Sequence, residues 1–157
     1  MVLVDTSVWV AVFSKPHRRK PGVDINDATV GVRPDIFEQP HNIEDIVDFD
    51  EICTCQPIIQ EVLQGFRHER DFRVAKDSML ALPSVESPME MSTYVEAASL
   101  YRTARKQGLT IRSSIDCLIA MCAIKHNLTV LHCDRDFDML AKISSLDSRS
   151  IGTNSFV

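Results

Sequence analysis

Three short apolar runs lie between longer segments whose apolar residues recur at helical spacing. Val2 to Val4, Ile52 to Cys55 and Thr129 to Cys133 are brief, partly β-branched and bounded by polar residues, which predicts strands. Helical spacing covers Ser7 to Phe13, Pro57 to Phe66, Glu69 to Leu82, Met89 to Gln107, Ser113 to His126 and Phe137 to Ile143. Strands alternating with helices predict an α/β fold, with a central, mostly parallel sheet flanked by helices. The segment 14–51 breaks the pattern. It opens on the basic run "KPHRRK", and from Asp35 to Glu51 it carries seven acidic residues with no Lys or Arg. It reads as an inserted or extended excursion with one short helix near Asn42 to Phe49. There is no internal repeat, and 157 residues with 45% hydrophobic content suit one domain over 1–157.

The carboxylates that interrupt this apolar pattern are the candidate chemistry. Asp5 directly follows the first predicted strand, at the carboxyl edge where open α/β folds bind ligands. It also suits the cap of the helix that follows. Asp116 is the single charge in "IDCLIAMCAI", which is apolar on every face when wound as a helix, so a carboxylate there needs partners. A capping box between Ser113 and Asp116 is the structural alternative. Asp134 repeats the position of Asp5 after the strand "TVLHC", with Asp136 and Asp138 close behind; Asp136 is the natural N-cap of a helix starting at Phe137. Glu61 borders the apolar stripe Ile58, Ile59, Val62, Leu63 and Phe66, one turn before Gly65, a residue that leaves room for a close backbone. Carboxylates converging on one sheet edge repel one another unless a cation neutralises them. An all-oxygen set favours Mg²⁺ or Mn²⁺, and phosphodiester hydrolysis is the chemistry such a centre supplies.

Composition removes several rivals. The net charge of −5 argues against a broad electrostatic grip on nucleic acid, so any contact is local. Lys15, Arg18, Arg19 and Lys20 suit RNA phosphates or a solvated loop, and Arg112 is a second candidate for a phosphate contact. Five cysteines, with Cys53 and Cys55 off zinc-knuckle spacing, predict reduced core thiols and no metal–thiolate site. Val2 to Val12 is too short to span a bilayer and does not resemble a secretory signal, which predicts a cytoplasmic protein without a membrane partner. No glycine-rich turn follows the first strand and there is no Walker lysine, which excludes a phosphate-cradling loop. A phosphoacceptor receiver would carry a paired acid beside Asp5 and a Lys after "LHCDRDF", and both are missing.

The segments "VDTSVW", "IIQEVLQGF" and "YRTARKQGLTIRSSIDCLIAMCAIKHNLTVLHCDRDFDML" resemble, in order and context, the PIN-domain ribonucleases, and most closely the VapC-like toxins of toxin–antitoxin pairs. The most specific part is the second half, where Gly108, Arg112, Asp116, Ile119-Ala120 and "DRDF" stand at the family's spacing. The resemblance implies that Asp5, Glu61, Asp116 and Asp134 are the four catalytic, metal-holding acids. Asp136 is then a frequent fifth ligand, and Ser7 the small hydroxyl residue that helps hold the site. It further implies a PIN-like fold and a Mg²⁺- or Mn²⁺-dependent endoribonuclease, dimeric and silenced by a small antitoxin protein. RNA processing, DNA cleavage and an inactive PIN-like domain are the alternatives. This chain departs from the family in its long stretch before Glu61 and in Cys133, which stands where a Thr commonly precedes the fourth acid. An antitoxin groove is expected near Trp9, Val12, Phe13, Ile58 and Leu63.

Overall fold

A computed structural model describes residues 1–13, 43 and 46–151. Among these, four parallel strands form one sheet in the order β2-β1-β3-β4: β1 is Val2–Val4, β2 Ile52–Cys53, β3 Thr129–His132 and β4 Asp147–Ser150. The helices are α1 Thr6–Phe13, α2 Gln56–Gln64, α3 Glu69–Ala81, α4 Met91–Lys106, α5 Ser114–His126 and α6 Arg135–Ala141. The strand order reverses at β1, because β2 is added on one side and β3 on the other. A crevice therefore opens between the carboxyl ends of β1 and β3.

Periodicity located the helices to within about two residues at each end, which is the ordinary fraying of helix boundaries. Helix α5 is the central buried element: Asp116, Cys117, Leu118, Ile119, Ala120, Cys122 and Ala123 are buried, as its all-round apolar pattern requires. Asn127, at φ 52°, ends it in the left-handed conformation, and Gly108, at φ +75°, does the same after α4, where a side chain would be strained. Ile43 and Val47 belong to the main hydrophobic core, so the end of the acidic segment is part of the globule. The cluster 15–20 and residues 42, 44 and 45 lie outside the described residues; within the span expected as a short helix near Asn42 to Phe49, Ile46 and Val47 form a turn and bend, and a 3-10 turn at Phe49–Glu51 leads into β2.

Four expectations need correction. Strand β4, reading "DSRS", has no apolar residue and was invisible to patterning; it pairs with β3 at the sheet edge, where its side chains stay largely exposed. The second strand ends at Cys53 and continues only as an isolated bridge between Thr54 and Ser84. Gly65 does not admit a neighbouring backbone, since the nearest atom to a side chain there is the Val62 carbonyl of its own helix, at 3.4 Å. Trp9 and Ile58 do not line a groove. Both are buried, with the Trp9 indole donating to the Val4 carbonyl at 3.0 Å and stacking on Phe13.

Because Ile119 is fully enclosed in α5, Ile119→Ala is expected to lower the unfolding free energy by about 2–5 kcal/mol. Urea titration followed by circular dichroism measures it, and a loss well below that range would show that the site collapses around the missing atoms.

Candidate active site

Asp5, Thr6, Ser7, Glu61, Arg112, Ser113, Asp116 and Asp134 line one open cavity of about 360 Å³. Its floor is the crevice between β1 and β3. Asp5 leaves β1 with its amide donating to the Leu131 carbonyl on β3 at 2.9 Å, and its Oδ2 accepts from the Ser7 amide at 2.8 Å and the Ser7 hydroxyl at 2.5 Å. The same hydroxyl oxygen accepts from the Cys133 amide at 2.9 Å, so Ser7 ties the end of β1 to the end of β3. That tie uses only the backbone of residue 133, so a Cys there serves as well as a Thr. Capping and pocket lining are not alternatives for Asp5: it does both.

Asp134 is the N-cap of α6, with its Oδ1 accepting from the Asp136 amide at 3.0 Å. This corrects the expected cap at Asp136, because the helix starts at Arg135 and its first turn already includes Asp136. Asp116 sits in the first turn of α5, and the capping box with Ser113 that stood as its structural alternative is not made. The Ser113 hydroxyl accepts from the Ile115 amide at 3.2 Å, and the Asp116 carboxylate has no hydrogen bond among the described residues. Glu61 reaches in from α2, accepting from the Thr6 hydroxyl at 2.9 Å. Asp136 is fully buried, and both of its oxygens are taken by Arg112: Oδ2 by the backbone amide at 2.6 Å and Oδ1 by Nε at 3.2 Å. Arg112 also pairs with Asp134 through Nη2. Thr6 and Ser113 also line the cavity wall, a role that sequence reasoning does not reveal; for Thr6 the available signal is its place directly after Asp5.

The electrostatics follow from this crowding. Burial, followed by the charges of Asp5, Asp134, Asp136 and Glu61, pushes the Asp116 carboxyl up from 3.8 to about 8. Burial also raises Asp5 against the opposing hydrogen bonds from Ser7 and Thr6, and burial together with the Asp5 charge raises Glu61. Four oxygen-donor side chains around one open cavity, one of them without a hydrogen bond and carrying a strongly raised pKa, fit a hard divalent cation.

A parallel sheet that presents several carboxylates at its switch point defines a class: α/β domains with an acidic centre. Residues 2–143 match the family model described as PIN domain. Over 150 residues the chain is 35% identical to VapC ribonuclease Mb1587 of Mycobacterium bovis and to Ribonuclease VapC11 of Mycobacterium tuberculosis, in each case across 96% of this chain and 98% of the relative. Among solved structures it resembles VapBC2 from Rickettsia felis bound to a promoter DNA fragment, with a TM-score of 0.65 and 14% identity, covering 96% of this chain and 99% of the other. VapBC-1 from nontypeable Haemophilus influenzae gives a TM-score of 0.61 at 15% identity, covering 96% and 98%. These two likenesses are of fold. The chain belongs to the PIN-domain family, and VapC ribonucleases are among its relatives there.

In the metal-free protein, Asp116 keeps a proton between 3.8 and about 8 that the unfolded chain has released. A raised carboxyl pKa therefore contributes stability that is lost as pH climbs through that window. Thermal unfolding in EDTA should show wild type losing midpoint, relative to Asp116→Asn, as pH rises across it. A constant difference between the two proteins would remove Asp116 as the strained group.

Proposed function

We propose that this chain is a metal-dependent endoribonuclease, the toxin of a toxin–antitoxin pair, acting in the cytoplasm. The observation that carries this reading is the convergence of Asp5, Glu61, Asp116 and Asp134 on one cavity in a chain akin to VapC ribonucleases. Those four side chains would hold Mg²⁺ or Mn²⁺. When bound, such an ion supplies Lewis-acid polarisation of the scissile phosphate and an acidified water as nucleophile. Ser7 orients Asp5, and Thr6 orients Glu61, through the hydrogen bonds already formed. Asp136, with both oxygens engaged by Arg112, serves as the anchor of that arginine rather than as a ligand. Arg112 is half-exposed and offsets the charge of Asp134, and its guanidinium is placed to meet an RNA phosphate. A small antitoxin would silence the site by presenting an Arg or Lys to the same acids. The exposed Met91, Tyr94 and Val95, at i, i+3 and i+4 on α4, offer apolar surface to a second copy in a homodimer.

Asp116→Asn keeps the shape of the side chain but removes a charge from the cation site. It should lower RNA cleavage in Mg²⁺ or Mn²⁺ by more than ~100-fold, beyond the loss typical of a residue that only supports a ligand, with circular dichroism unchanged. The assay compares RNA with single-stranded DNA, with and without EDTA; cleavage that persists in EDTA, or full activity in the variant, would defeat the mechanism.

Expression of the chain alone should arrest growth of a bacterial host, and co-expression of the small protein encoded beside it should relieve the arrest and block RNA cleavage in vitro. A chain that is harmless alone and binds no such partner would leave a ribonuclease that is not a toxin.

A further inference from the structure

At the opposite end of α5 from Asp116, a second group of ligand-type side chains comes together. Cys122 and His126 stand at i and i+4, on one face of the last turns of α5, and Glu86 reaches them from the connection between α3 and α4. One ligand atom from each of the three lies within 4.8 Å of the other two. The Glu86 side chain is only 5% exposed, and its two oxygens differ in circumstance. Oε1 is satisfied by the Thr93 hydroxyl and by Lys125 Nζ at 3.1 Å. Oε2 is buried without a hydrogen bond among the described residues, although His126 Nε2 stands 3.7 Å away. A buried carboxylate oxygen left unpaired is costly, and it faces two groups that ligate metals. Glu86 is also held at φ 50°, a conformation that side-chain-bearing residues seldom adopt.

We propose that Glu86 Oε2, Cys122 Sγ and His126 Nε2 form a zinc site, separate from the carboxylate centre, that clamps the α3–α4 connection to the end of α5. The mixed oxygen, sulfur and nitrogen set selects a borderline-soft, four-coordinate ion over Mg²⁺. Cys122 is buried while the His126 side chain is 39% exposed, so the fourth position faces solvent and the ion has an entry path beside a depression of about 320 Å³ lined by Glu86, Ser87, Pro88, Glu90, Lys125 and His126. On binding, the Cys122 thiol releases its proton to solvent, and the thiolate and Glu86 carboxylate offset the dication. Lys125 does not block the site, because its ammonium is directed to Oε1, Glu90, Ser92 and Thr93. The two centres are about 15 Å apart along the helix axis, at 1.5 Å per residue between Asp116 and His126. Zinc binding is therefore separable from the nuclease chemistry.

The test titrates the full-length, tag-free chain with Co²⁺ as a spectroscopic stand-in for Zn²⁺, in an excess of Mg²⁺ that saturates the carboxylate centre. One equivalent of Co²⁺ should produce thiolate-to-cobalt charge-transfer absorption that Zn²⁺ displaces, and Zn²⁺ should raise the unfolding temperature. Cys122→Ser should abolish the absorption. His126→Gln, at a half-exposed position that folding tolerates, and Glu86→Gln should each weaken Zn²⁺ binding at least ~10-fold, the lower bound for disturbing even a supporting residue. An absorption band that is absent in wild type or survives Cys122→Ser, or an unchanged affinity in His126→Gln, would overturn the proposal.

Discussion

Repulsion among carboxylates held at one sheet edge is the constraint on which the rest of the site depends. Asp5, Asp116, Asp134 and Glu61 are brought together by strands and helices that are stable for other reasons, and the clearest consequence is the Asp116 carboxyl, driven up to about 8. A domain bears such a concentration of charge only where burial elsewhere outweighs it. Here the enclosing elements supply that burial: the α5 helix is packed around most of its circumference, and β1 and β3 are covered along their lengths. The protein relieves part of the repulsion internally, since Arg112 neutralises Asp134 and Asp136. Asp116, with no hydrogen bond among the described residues, is left without such compensation.

Position at the edge is enforced by a few short hydrogen bonds. The Ser7 hydroxyl joins Asp5 to the Cys133 amide, so the carboxyl ends of β1 and β3 cannot splay without breaking it. Because the hydroxyl is shared between a side chain and a backbone group from the other strand, one small residue sets both the Asp5 rotamer and the approach of Asp134. The Asp136–Arg112 pair acts similarly on the facing wall, fixing the loop before α5 to the start of α6 through a backbone bond at 2.6 Å as well as the guanidinium. The cavity is thus braced by hydrogen bonds on two sides.

Helix α5 joins the two halves of the molecule's polar chemistry. Its first turn carries Asp116 into the acidic cavity, its middle is core, and its last turns meet Glu86 and the Lys125 network on the far edge. Glu86 and Lys125 tie the α3–α4 connection to the last turn of α5 through their ion pair.

The sequence by itself determined the class of fold and, among the described residues, three of the four strands and all six α-helices; it also singled out the acids that line one cavity. Apolar periodicity reports which face of an element is buried, and a charge that interrupts a buried run must have a purpose. It could not show β4, because "DSRS" pairs through its backbone at an edge and needs no apolar side chain. Nor could it decide between cap and cavity wall for Asp5, or assign the cap of α6, since both depend on where a helix starts to within one residue. The clasp of Arg112 on Asp136 spans 24 positions and that of Thr6 on Glu61 spans 55. Glu86 meets Cys122 and His126 only because the α3–α4 connection crosses the end of α5. Contacts of that kind are settled by packing in three dimensions, where chain separation no longer measures distance, and only the tertiary structure could reveal them.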